Sequence, residues 1–284
     1  MALIISPRIQ DIGFPVKRLL PSRVKQRVGP FIFVDHMGPA QFSLGTTADD
    51  VRQHPHIGLA TVTYLFTGAM MHRDSLGIVQ RIEPGAINLM TAGSGIVHSE
   101  RLPADIRAGN IPVEGIQTWL ALPLEAEECE PTFAHYPAAT IPSVNLPTMS
   151  AQVLIGKAFG VESPVKTASI TTYLDLALGE GTRYEPDFPG QELAIYVAWG
   201  AVTVNGEPVA EFQLAVLDEN SVIESEKASR ILVLGGEPLV GERFILWNFV
   251  ASSREKLRAA SERWEKQEFA MVPGETDFIP LPKA

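Results

Sequence analysis

The apolar residues of this chain fall mostly into short runs with a period of two, interrupted by proline, glycine or polar clusters. That pattern predicts strands, whose successive side chains point to opposite faces of a sheet. Up to residue 30 the runs are punctuated by Pro7, Pro15, Pro21 and Pro30, which favours extended segments and turns over helix. Phe31-Ile32-Phe33-Val34 reads as a short buried strand that Asp35-His36 ends. Gly58 to Phe66 is rich in β-branched and aromatic residues, Gly68 marks a hairpin, and Ile78 to Ile82, Ala86 to Met90 and Ile116 to Leu122 follow as further strands.

Past the acidic run Glu125 to Glu130 the texture changes, with Pro131, Pro137, Pro142 and Pro147 in quick succession. A domain boundary is predicted there, giving domains over 1–135 and 136–284; 284 residues suffice for two cores of about 130 residues each. The second half repeats the grammar of the first: Leu193 to Gly200 echoes Thr61 to Gly68, and Asn205-Gly206 is a strong hairpin signal. The tail differs. Ser252 or Ser253 can cap a helix, about 252–269, that presents Leu257, Ala260 and Trp264 on one face and charges on the other.

Twenty-three basic and 33 acidic residues give a net charge of −10 without a basic cluster, which disfavours direct nucleic-acid binding. A single cysteine, Cys129, allows no intramolecular disulfide and suits a reducing compartment; in its acidic run it reads as a spectator thiol. Leu3-Ile4-Ile5 is too short for a signal segment, and no apolar run approaches the ~20 residues of a membrane helix. A soluble cytoplasmic protein is expected.

The chemistry concentrates in six histidines, five of them in the first hundred residues. In His54-Pro55-His56 the two imidazoles share one face of an extended strand, as do the side chains in His98-Ser99-Glu100. Three imidazoles and one carboxylate converging from neighbouring strands suit a borderline transition metal and leave positions open for substrate or dioxygen. Fe(II) is the first expectation, with Mn, Ni, Co, Cu or Zn as alternatives. Pro84-Gly85 and Gly93-Ser94-Gly95 bend the chain around the second pair, which makes the spacing hard to ascribe to chance. If the histidines face inward, Gly58, Ala60, Val62 and Tyr64 share their face, and the small ones leave room for a ligand. His36 is placed either near the metal behind its ligands or as a hydrogen-bonded loop residue. His72 is assigned to a loop or rim, out of phase for a ligand, and Trp119 to the core.

These residues carry a resemblance to the pirin family, a branch of the cupin superfamily. The matching pieces are Phe31 to His36, His54-Pro55-His56-Ile57-Gly58 with Thr61 to Leu65, Met90 to Glu100, Gly235-Gly236-Glu237-Pro238 and Trp247-Asn248-Phe249-Val250. The resemblance implies an all-β fold of two tandem cupin, jelly-roll-like barrels with the C-terminal helix appended. Iron would sit in the N-terminal barrel on His54, His56, His98 and Glu100, and the C-terminal barrel would be metal-free. Several members look like quercetin 2,3-dioxygenases, which open a flavonol with O2 and release CO; others act as iron-dependent, redox-sensitive regulators through protein contacts. In the first case Glu100 is the candidate base for the flavonol hydroxyl. Pirins usually carry glutamate where this chain has Ala60, so an apolar pocket wall is expected here. Bicupins contain an internal pseudo-dimer, and a monomer is expected.

Overall fold

The computed structural model describes residues 2–42, 47 and 50–282. Strands dominate, and the α-helices among the described residues are Ala104–Ala108 and Arg254–Glu265. The chain divides into two compact units, each assembled from three stretches. Met1–Ile9, Lys17–His36 and Ala139–Leu239 form one; Gln10–Val16, Met37–Ala138 and Val240–Ala284 form the other. A single cut at residue 135 therefore describes the middle of each unit and not its ends. The first strand, Leu3–Ile5, pairs with Leu214–Leu217 of the later half, and the terminal helix belongs with the earlier half rather than with residues 136–239.

In the first unit, a seven-stranded sheet runs in the order Leu3–Ile5, Leu214–Leu217, Glu192–Trp199, Ser229–Gly236, Thr171–Leu178, Met149–Ile155, Ser143–Asn145. A four-stranded sheet, Arg183–Tyr184, Ile223–Ser225, Ala201–Val204 and Glu207–Ala210, accompanies it. Alternate residues such as Leu174 and Leu176, Ile195 and Val197, and Ile231 and Val233 fill the interior with aliphatic side chains. Asn205 (φ 52°) and Gly206 (φ 81°) make the hairpin turn that their sequence predicts. The strand starting at Phe31 does not stop at Asp35-His36 but continues to Ala40. Both polar residues are satisfied inside the unit: Arg18 donates twice to the Asp35 carboxylate at 2.8 Å, and His36 Nδ1 lies 2.6 Å from the Tyr196 hydroxyl. A strand can carry such residues through an interior when each finds a partner.

In the second unit, Thr132–Tyr136, Ile87–Thr91, Leu59–Thr67 and Val113–Ala121 are hydrogen-bonded in that order. A four-stranded antiparallel sheet follows the order Val51–His56, Ile96–Arg101, Met70–Asp74, Val79–Ile82. Val51, Leu65, Met70, Ile82 and Val113 share one core with Phe14 and Met37. The terminal helix is capped by the Ser253 hydroxyl, which accepts the Lys256 N–H, and it closes at Glu265, short of the expected 269. Gln267, at φ 55°, ends the helical path. Leu257, Ala260 and Trp264 pack with Ile57, Val97, Phe249 and Phe269. Beyond the helix the chain returns along the His54 strand: Val272 N–H donates to Gln53 Oε1, Ile279 N–H to Gln53 O, and Trp264 Nε1–H to Ile279 O. No helix among the described residues is long and apolar enough to cross a membrane.

Candidate metal centre

His54 and His56 project from the edge strand of the four-stranded sheet, and His98 from its neighbour, with His98 opposite His54 in the register. Proline at position 55 sits on the other face between the two imidazoles. All three histidines are buried, and one nitrogen from each lies within 4.8 Å of the others. His56 Nε2 and His98 Nε2 are 3.1 Å apart. Neighbouring imidazole nitrogens bound ~2.0–2.1 Å from one ion are separated by about 2.8–3.4 Å, from octahedral to tetrahedral geometry. The spacing fits a shared cation.

The remaining ring nitrogens are committed elsewhere. His54 Nδ1 is 2.8 Å from the Arg52 carbonyl, and His56 Nδ1 is 3.0 Å from the Asn248 carbonyl. A carbonyl can only accept, so both rings carry their proton on Nδ1 and turn the Nε2 lone pair toward the cluster. Asn248 is a contribution that spacing within the histidine motifs does not reveal, because it arrives from a segment far along the chain. Burial is the main force keeping the rings neutral: it lowers His54 to about 4, against a weaker opposing pull from the Arg52 carbonyl. His56 and His98 are lowered well below the ordinary value for the same reason, with the neighbouring imidazoles adding to the effect. Three neutral, convergent, oriented nitrogen donors are the state in which imidazole binds a transition metal.

His98 has a different support. Its Nδ1 lies 3.4 Å from His72 Nδ1, and His72 Nε2 lies 3.0 Å from Asp74 Oδ2. His72 is therefore neither in a loop nor on the rim. It lies on the strand Met70–Asp74, buried, opposite Glu100 in the register, with Asp74 opposite His98, and its ring stacks on Phe133 at 4.4 Å. His72-x-Asp74 is a third in-phase pair on the same sheet, a signal available in the sequence once the strand is known to include it.

Glu100 stands two residues beyond His98, but a bulge separates them in the pairing with the His54 strand, and it lies outside the group of three. Burial pushes its carboxyl up to about 7.

The pirin family model matches residues 13–120, and the model of the pirin C-terminal cupin domain matches residues 173–270. A pirin-like protein of Caulobacter vibrioides is 42% identical over 287 residues, covering 99% of each chain. The chain belongs to the pirin family. A relative from Pseudomonas aeruginosa that carries the provisional name quercetin 2,3-dioxygenase is 36% identical, over 92% of this chain and 83% of its own. The crystal structure of a quercetin 2,3-dioxygenase from Acinetobacter baumannii superposes with a TM-score of 0.91 at 35% identity, covering 100% of this chain and 95% of that one. The fold is the all-β bicupin of that family, two tandem barrels with the terminal helix.

Against that pirin framework, the expected pocket wall needs correction. The strand carrying His54 and His56 does not run on: Gly58, at φ 67°, breaks it, and Leu59–Thr67 joins the other sheet of its unit. The alternation of faces is reset at the break. Trp119 lies beside His56 at 5.1 Å, edge to face, and Trp119 pairs with Thr61. Phe133, stacked on His72, pairs with Met90, which also pairs with Thr61. The histidine side of this sheet is thus the row of Thr61, Thr63, Asn88, Met90, Gln117, Trp119, Phe133 and His135, and Ala60, Val62 and Tyr64 point the other way. Ala60, expected as part of an apolar pocket wall, faces away from the histidines.

Gly58 itself lines a cleft of about 110 Å3 with Val250 and Lys256. A Cβ there would stand 2.0 Å from the Val250 carbonyl oxygen, so glycine is required by close approach rather than by a ligand. His36 lies in the other unit, among Tyr196 and Phe212, and takes no part in the cluster. Cys129 is half-buried, and burial pushes its thiol up, consistent with an unreactive side chain.

Proposed function

We propose that the protein is an iron-dependent dioxygenase of the cytoplasm that opens a flavonol such as quercetin with O2 and releases CO. The observation that carries this reading is the convergence of three buried, neutral imidazoles beside a wall that mixes aromatic and hydroxyl or amide groups. The likeness to the A. baumannii quercetin 2,3-dioxygenase supplies the substrate class. His54, His56 and His98 would hold Fe(II). When bound, the ion supplies a positive charge that lowers the pKa of the flavonol 3-hydroxyl and a site at which dioxygen is activated.

The chain's own residues do the rest. Trp119 and Phe133 offer aromatic surface against which a flat ring can pack. The Thr63 hydroxyl donates to Gln117 Oε1 at 2.8 Å, and His135 Nδ1–H donates to Asn88 Oδ1 at 2.7 Å. Those pairs leave the Thr63 oxygen and the Gln117 and Asn88 amides to receive or donate to hydroxyl groups of a polyphenol. Glu100 takes the proton from the 3-hydroxyl. Burial raises its carboxyl toward neutrality, which makes it a stronger proton acceptor than an ordinary carboxylate.

The test is oxygen uptake and CO release on adding quercetin to protein purified without oxygen and reconstituted with Fe(II), beside His56→Ala. Metal-dependent uptake with CO that vanishes in the variant supports the assignment. Protein that loads iron and consumes no oxygen with quercetin refutes it.

A further inference from the structure

The three histidines of the centre are not held alike. Two donate their Nδ1 protons to backbone carbonyls, whose role as acceptors is fixed by chemistry. The third, His98, faces another imidazole, which can act as donor or acceptor. Whether His98 offers a lone pair or an N–H to the centre therefore depends on His72, and the state of His72 depends on Asp74.

We propose that Asp74 and His72 are positioning residues that set the tautomer of His98 and thereby complete the metal centre. The inference rests on His98 being a metal ligand. Asp74 is fully buried, and its Oδ1 already accepts the Leu76 and Ile78 N–H groups at 2.9 and 3.0 Å. Its Oδ2 is left for His72, and a carboxylate oxygen draws the His72 proton to Nε2. His72 Nδ1 then presents a lone pair, which only a His98 Nδ1–H can satisfy, and His98 Nε2 is left bare 3.1 Å from His56 Nε2. What the Asp74 carboxylate selects is which nitrogen of each ring carries its proton. The stack of His72 on Phe133 and its place in the register hold the ring in the plane this requires.

The same contacts say what an amide would do at position 74. In Asp74→Asn the oxygen must remain on the Leu76 and Ile78 N–H groups, so the NH2 is forced toward His72 Nε2. His72 must then carry its proton on Nδ1, and His98 must receive it there. His98 Nε2 becomes protonated and faces the centre as a donor. One isosteric change inverts two tautomers in series.

The experiment uses the metal-free full-length chain with 15N-labelled histidine, whose one-bond and two-bond correlations distinguish the two neutral tautomers. It is paired with Zn(II) affinity measured against a competing chelator. Wild type is expected to show the Nδ1–H form of His98 and the Nε2–H form of His72. Asp74→Asn is expected to invert both and to weaken Zn(II) binding by about 10–100-fold, the usual effect of losing an outer hydrogen-bond partner. His72→Asn places an amide oxygen where His72 Nδ1 stood, so the double variant His72→Asn/Asp74→Asn should return His98 to its Nδ1–H form and recover most of the affinity. Wild-type tautomers in Asp74→Asn, or affinity within about threefold of wild type, overturn the proposal. So does a loss of affinity that the double variant fails to restore, since a merely structural aspartate would behave that way. If His98→Ala binds Zn(II) as tightly as wild type, the metal-centre reading fails separately, whatever the tautomers show.

Discussion

Glu275 braces the strand that carries His98 and Glu100 from its outer face. Ser99 and Arg101 alternate with those two residues and point away from the centre. The Ser99 hydroxyl donates to Glu275 Oε1 at 2.7 Å, and Arg101 Nη2 donates to Oε2 at 2.5 Å. The ion pair is well shielded, with side-chain exposures of 17% for Arg101 and 8% for Glu275. Removing one partner of a buried pair costs about 3–5 kcal/mol when the other charge is stranded. Here Asp277 still holds Arg101 at 2.9 Å, but its side chain is 49% exposed and such pairs are worth about 0–1 kcal/mol. Glu275→Ala also leaves the fully buried Ser99 hydroxyl without its acceptor, a further loss of about 1 kcal/mol. A destabilisation of about 3 kcal/mol is expected, and about half that for Glu275→Gln, whose amide oxygen can keep the Ser99 bond. Urea unfolding followed by tryptophan fluorescence measures it, because Trp119, Trp247 and Trp264 all lie in the unit that carries the three histidines and only Trp199 in the other. If Glu275→Ala shifts stability by less than about 0.5 kcal/mol, or its double-mutant cycle with Arg101→Ala shows no coupling, the tail does not brace this strand.

Other outcomes follow from the same geometry. Glu100→Gln should keep the metal, measured by elemental analysis, and lower quercetin turnover by about 100-fold or more; wild-type turnover would remove Glu100 as the base. Gly58→Ala should destabilise by at least about 2 kcal/mol or fail to accumulate in soluble form, since the added Cβ meets the Val250 carbonyl oxygen at 2.0 Å and the backbone is at φ 67°. In the metal-free protein, His54 is neutral when folded down to about 4, while the unfolded chain binds its proton below 6.5. Stability should thus fall as pH drops through that window, by about 3 kcal/mol for His54 alone. Glu100 works in the opposite sense: raised to about 7, it contributes stability below the ordinary carboxyl value of 4.5 that is lost as pH rises through 7. Urea midpoints at pH 5 and 7 for His54→Asn and Glu100→Gln separate the two, and a flat profile in wild type that neither variant changes would contradict both.

The sequence by itself determined most of the strands and singled out the three imidazoles, His54, His56 and His98, that the fold brings together. Period-two runs, proline spacing and Asn205-Gly206 are local features, and local backbone preference is enough to make strands and hairpins of them. His54-x-His56 and His98-x-Glu100 announce shared faces because alternation holds within any one strand. What the sequence could not settle was everything that depends on where a strand ends or what lies across from it. Alternation carried past Gly58 put Ala60, Val62 and Tyr64 beside the three histidines; the strand breaks at Gly58, where the Val250 carbonyl, nearly two hundred residues later, leaves no room for a Cβ. Asp35-His36 looked like a strand end until Arg18 and Tyr196 supplied partners that only folding brings near. The assignment of Leu3–Ile5 to the later half and of the helix to the earlier one depends on pairing and packing between distant segments. His72 was misplaced for the same reason: its meaning comes from Asp74 beside it and His98 across from it, and a cross-strand neighbour is a property of register, which tertiary structure alone decides.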